Sequence, residues 1–192
     1  MQVDYAVELG RDDETLDLPW ATPGGGPRYY DLKRDHDAIE YIEEAARAIE
    51  LREFLISVNS KASLLESAKC DAWSSTEINP EEKIFDLPWK FGSYVDLLFS
   101  EQEPRFSFEQ HEKLLKELTG LLKRAPEIPD SVEFLLRRCF FHENDDVREG
   151  YHITFYLFGY GKHEAEARLQ WGIGLKLVTA AISQLSFRPS AL

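Results

Sequence analysis

The sequence predicts an α+β fold: a mostly antiparallel sheet with a ferredoxin-like β-α-β-β-α-β core, extended by one further strand and a C-terminal helix. Three observations carry that expectation. Short stretches with two-residue alternation or β-branched and aromatic enrichment recur along the chain, and apolar stripes at helical spacing interrupt them. The last third reads as a strand pair feeding a glycine turn and a long amphipathic helix.

The elements follow in chain order. Val3, Tyr5, Val7 and Leu9 alternate with Asp4 and Glu8, the pattern of a half-buried strand that stops at Gly10. Residues 11–34 read as a long loop, because Pro19, Pro23, Gly24, Gly25, Gly26 and Pro27 fall too densely for a regular element. Asp37 and Glu40 fit a capping box ahead of Ile39, Ile42, Ala46 and Ile49, so a first helix starts there. Its stripe re-phases at Leu51, Phe54, Leu55 and Val58, which places a break near Glu50 and an end at Asn59.

Residues 67–75 and 93–100 have strand composition and are joined by a long connection through Asn79, Pro80 and Pro88. Ser107 and Gln110 form a second capping box, and Phe108, His111, Leu115, Leu118 and Leu122 share one face until Pro126 and Pro129 end the pattern. Residues 131–142 and 150–158 read as an antiparallel hairpin across the charged turn Glu143-Asn144-Asp145-Asp146. A final helix from about His163 stacks Trp171, Leu175, Val178, Ile182 and Leu185 on one stripe. Gly172 and Gly174 inside it each cost about 1 kcal/mol relative to Ala, which implies close approach by another element, of this chain or of a second copy.

Composition supports one domain over residues 1–192. Hydrophobic residues make up 43% of the chain, with 4 Trp, 8 Tyr and 12 Phe, enough to build a core of its own. The net charge of −13 argues against a nucleic-acid backbone or an anionic membrane as partner and favours a basic protein. The two cysteines, Cys70 and Cys139, have no C-x-x-C spacing, and neither an export signal nor a membrane span is read, so a reducing cytoplasm is expected.

No catalytic, cofactor or metal signature is present. His36, His111, His142, His152 and His163 lack H-x-x-x-H spacing, and His142 to Asp146 lacks the pattern of a calcium loop. The leading expectation is therefore a non-enzymatic, acidic protein-binding domain of the inhibitor or immunity type. Its candidate contacts are Asp12, Asp13 and Glu14 together with Trp20 and Trp89, the indoles of a repeated Asp-Leu-Pro-Trp segment. Proline holds the preceding Leu extended and aims the Trp, so a buried anchoring indole accounts for both copies as well.

The alternative is a small-molecule or phosphate site on the open sheet face, with or without catalysis. It would use Arg137 or Arg138, His152, Tyr156 and the turn Gly159-Tyr160-Gly161-Lys162 ahead of the last helix. Strand alternation puts His152, Thr154 and Tyr156 on one face, where Glu8, Asp71 or Asp96 from other strands would supply carboxylates. Against an anion at the turn stand Glu164 and Glu166, which already complement the helix dipole. Cys139 facing His152 across the hairpin is expected to be packing rather than a thiol site. A homodimer through the open face is the third possibility.

Overall fold

The computed structural model describes residues 1–143 and 146–187. Its strands and helices are β1 (Gln2–Glu8), β2 (Leu16–Leu18), α1 (Glu43–Arg47), α2 (Ile49–Val58), β3 (Leu65–Ser75), β4 (Trp89–Phe99), α3 (Phe108–Leu122), β5 (Asp130–Glu143), β6 (Asp146–Gly161) and α4 (Glu164–Ser186). Short 3-10 turns lie at His36–Tyr41, Glu81–Phe85 and Glu103–Phe106. Among the described residues no helix is long and apolar enough to cross a membrane. The expected hairpin is present, though Asn144 and Asp145 of its turn lie outside the described residues.

The strands form one sheet in the order β1-β5-β6-β4-β3, with β2 beside β5 past the end of β1. β1 and β2 run parallel to β5, and the other pairings are antiparallel. The α+β expectation holds. The expected mostly antiparallel, ferredoxin-like arrangement is corrected to a mixed sheet, because that arrangement keeps its first strand inside the sheet and β1 stands at the edge. Burial explains the difference. β5 and β6 bury residues on both faces, Leu135 and Leu136 or Ile153 and Thr154, and so take the centre, whereas β1 exposes Gln2, Asp4, Ala6 and Val7.

One face of the sheet carries α2, α3 and α4 over a core of Phe91, Val95, Leu97, Val132, Phe134, Leu136, Ile153, Phe155 and Leu157. Trp171 of α4 is fully buried there, its Nε1 donating to Ser93 Oγ at 2.8 Å. A Cβ on Gly159 would lie 2.1 Å from the Trp171 nitrogen, and one on Gly161 2.4 Å from that of Ala167. These glycines let α4 rest directly on the β6 backbone. Within α4, a Cβ on Gly172 would meet Glu50 of α2 at 3.2 Å and one on Gly174 the Asp130 carboxylate of β5 at 2.7 Å. The close approach therefore comes from this chain itself.

Helix signals hold where the side chains are free to cap. Ser107 Oγ accepts from the Gln110 N–H at 3.2 Å and starts α3. His163 Nδ1 accepts from the Glu166 N–H at 3.2 Å while the Glu166 carboxylate accepts from the Lys162 N–H at 2.8 Å, closing a reciprocal box on α4. The box expected at Asp37 does not form: Glu40 pairs with Arg52 instead, and residues 36–41 stay a 3-10 turn. The break expected near Glu50 falls at Ala48, whose extended φ of −128° and ψ of 98° separates α1 from α2.

The segment after β1 corrects the reading of 11–34 as free of regular structure. Leu16 and Leu18 are buried, and β2 forms because Cys139 to Phe141 of β5 offer it a ladder. From there the chain crosses the sheet face that lacks helices. It is tied down at β3 by Trp20 Nε1 donating to the Ala68 carbonyl at 2.8 Å and by Lys33 Nζ donating to the Leu65 carbonyl at 2.9 Å. Residues 9–33 thus act as a strap over half of the open face.

Candidate functional site

Register across the strands sorts the open face into rows. Under the strap, Glu8 pairs with Arg137 and Arg137 with His152, while Leu135, Thr154, Asp96 and Lys69 form the next row. Arg137 donates through Nε to Glu8 and through Nη1 to Glu14, both at 2.7 Å, and reaches Thr154 Oγ1 at 3.3 Å. Thr154 in turn donates to Asp96 at 2.7 Å, and His152 Nε2 lies 3.3 Å from the same hydroxyl.

All four central residues are buried, with exposures of 8% for Arg137, 3% for His152, 1% for Thr154 and 6% for Asp96. Burial pushes the Asp96 carboxyl up to about 6. Burial, with the Arg137 charge beside it, pushes the His152 imidazole down to about 3. Such a donor–acceptor set is of the kind used in proton transfer, yet it lies beneath the Glu8–Glu14 turn. Its evident work is holding that turn: Arg138 also donates to the Gly10 carbonyl, and His142 bonds Asp17 at 2.7 Å.

The uncovered half has a different chemistry. One unbroken row runs Asp4, Glu133, Tyr156, Tyr94 and Asp71 across β1, β5, β6, β4 and β3. Four strand spacings make it roughly 19 Å long. Asp4 and Glu133 are exposed, and Tyr156, Tyr94 and Asp71 half-buried. The two tyrosine rings lie 5.9 Å apart, and Phe158 stacks on Tyr156 at 6.4 Å. Trp73 meets Phe158 edge-on at 6.0 Å over Gly92, where a Cβ would come within 2.7 Å of the Phe158 ring.

The face already takes cations of its own. Lys90 Nζ sits 5.3 Å from the Phe158 ring centroid and Lys69 Nζ 6.0 Å from that of Tyr94. At the β1 end, between the sheet and the 79–85 segment, lies a concavity of about 720 Å³ whose charged lining is Asp4, Glu82 and Glu133. Glu82 is committed to Lys90 at 2.9 Å and Tyr160 at 3.0 Å. Asp4 and Glu133 face each other across β1 and β5 with no ion-pair partner among the described residues.

The residues singled out from sequence divide among these regions. Arg137 and His152 join the buried network, Arg138 clasps the strap, and Tyr156 lies in the uncovered row. Gly159 and Gly161 are packed under α4, and the Lys162 N–H is taken by Glu166, so the turn's backbone groups serve the helix itself. Glu14 pairs with Arg137, Asp13 accepts from the Gly10 N–H, and Asp12 is exposed. Trp20 anchors the strap at β3, while Trp89 packs at the border of the helix-side core, so the repeated indoles are not brought together.

Asp4, Glu133, Tyr94, Trp73 and Phe158 were not singled out from sequence. The available signal was alternation in each strand separately, and only Tyr156 carried a polar neighbourhood obvious enough to mark it. Among the described residues no group of His, Cys, Asp and Glu is placed to hold a metal ion. No protein-family model matches the chain, and no curated protein or solved structure matches it significantly, so function rests on this face alone.

Proposed function

We propose that the chain is a non-enzymatic binding protein for a basic partner, whose lysine and arginine side chains dock on the row from Asp4 to Asp71. The observation that carries this reading is the pair Asp4 and Glu133, opposed, exposed and with no ion-pair partner among the described residues, beside two half-buried tyrosines. Like charges directly opposite in a sheet destabilise it by roughly 0.2–1 kcal/mol. A cation placed there relieves that repulsion and gains about 0.5–1 kcal/mol for each exposed ring it covers. The net charge of −13 steers such a partner in from a distance.

The buried Asp96–Thr154–Arg137–His152 network supports the same assignment of roles, since it stabilises the strap and leaves the uncovered row as the accessible chemistry. The test is a titration of the chain with a short oligo-arginine peptide at low and high salt. Salt-sensitive binding is expected, with Tyr156→Ala and Glu133→Gln each weakening it about two- to fivefold. Absence of binding at low salt, or binding indifferent to both variants, overturns the reading.

A further inference from the structure

The two edges of the sheet are protected differently. β3 shifts register between Ser67 and Lys69 and gives its Leu65 and Ala68 carbonyls to Lys33 and Trp20. A bulge, a lysine and a cover are the usual means of blocking an edge from pairing with another chain. β1 runs in unbroken register with β5 over its 7 residues, contains neither Lys nor Pro, and among the described residues has no strand beyond it. One group of that edge is nevertheless occupied: the Tyr5 N–H donates to the carboxylate of its neighbour Asp4 at 2.8 Å. Backbone groups of alternate residues point to the same side of a strand, so Val3 and Val7 share the direction of Tyr5.

We propose that β1 is a charge-gated docking edge, to which an extended segment of the partner alternating basic and apolar residues adds as a further strand. The proposal rests on the binding reading above. A lysine or arginine arriving opposite Asp4 draws its carboxylate off the Tyr5 N–H and frees that N–H for an incoming carbonyl. The same cation lies near Glu133, which faces Asp4 across the sheet.

Alternate residues of the segment fall on the helix-bearing side beside Tyr5 and the exposed Val7, where apolar side chains fit. In strand addition the main-chain bonds supply affinity and the alternating side chains specificity. A second copy of this chain is a poor occupant, because it would bring another Asp4 and Glu8 against the same carboxylates. A neutral segment leaves the Asp4 carboxylate in place.

The experiment titrates isotope-labelled full chain with a peptide alternating Lys and Val, and with two versions N-methylated on one or the other alternate set of backbone amides. The plain peptide is expected to shift and protect the amides of Val3, Tyr5 and Val7. One methylated version, and only one, is expected to bind at least about tenfold more weakly. If both methylated versions bind within about twofold of the plain one, with shifts confined to Tyr94 and Tyr156, the edge is overturned while cation binding stands. If no peptide binds at low salt, the binding reading falls and the edge with it. Asp4→Asn adds a second check: it is expected to abolish the preference for Lys/Val over Ser/Val peptides, and an unchanged preference overturns the gate.

Discussion

The covered and uncovered halves of the open face are made by the same strands one row apart, yet they solve the problem of polar residues on a sheet in opposite ways. Beneath the strap the central ions are paired, Arg137 with Glu8 and Glu14 and Asp96 with Thr154, although His152 Nδ1 stays buried without a hydrogen-bond partner among the described residues. In the uncovered row, amid aromatic rings, Asp4 and Glu133 oppose each other with no ion-pair partner among the described residues. A satisfied network lowers the energy of the fold. An opposed pair of carboxylates keeps interaction energy in reserve for a cation, and this is why we place binding on the second half and stability on the first.

The largest expected effect lies in the covered half and depends on pH. Because the folded chain holds His152 down to about 3, the unfolded chain binds a proton that the folded one refuses between there and about 6.5. Stability present above pH 6.5 is therefore lost as the pH falls, by on the order of 5 kcal/mol in full. His152 is faced by Arg137 from β5, Thr154 from its own strand and Asp96 from β4, and His111 of α3, on the other side of the sheet, adds a smaller downward push. Asp96 works in the opposite sense: raised to about 6, it contributes stability below about pH 4 that is lost as the pH rises through 6. Thermal midpoints across this range should show His152→Gln flattening the acid loss and Asp96→Asn steepening it. Identical profiles for wild type and His152→Gln would break the contrast between the halves.

Next in size is Arg137→Ala, which strands buried Asp96 and Thr154 and releases Glu8 and Glu14. Urea unfolding should register a loss of about 3 kcal/mol, and the 9–18 turn should become the first site of limited proteolysis. Tyr156→Ala removes a half-buried ring whose burial is incomplete, so stability should fall by only about 1 kcal/mol while affinity for oligo-arginine falls about two- to fivefold. The smallest effect sharpens the comparison most. Asp4→Asn combined with Glu133→Gln should raise stability by a few tenths to about 1 kcal/mol while abolishing peptide binding. Loss of stability in that double variant would mean that the carboxylates serve the fold.

Half of this site was legible before the fold was known. Alternation in β6 puts His152, Thr154 and Tyr156 on one face, but alternation leaves the hairpin register open: Cys139, expected opposite His152, pairs with Gly150, and Arg137 takes the place opposite His152. Alternation does not say that a strap hides His152 while Tyr156 stays open. The strap is a proline- and glycine-rich segment whose only strand, β2, exists because β5 pairs with it.

Local signals determined what local physics controls. Period-two alternation gave β1, the Ser107 cap gave the start of α3, and the stripe from Trp171 to Leu185 gave the buried face of α4, whose His163–Glu166 box the structure adds. Tertiary structure alone decided the strand order and the row from Asp4 to Asp71. Those residues are brought side by side because Gly159 and Gly161 seat the central hairpin against α4, leaving β1 and β4 to flank it. Each strand encodes which of its faces is buried, but not which strand will lie beside it. That choice belongs to the packing of all the layers at once.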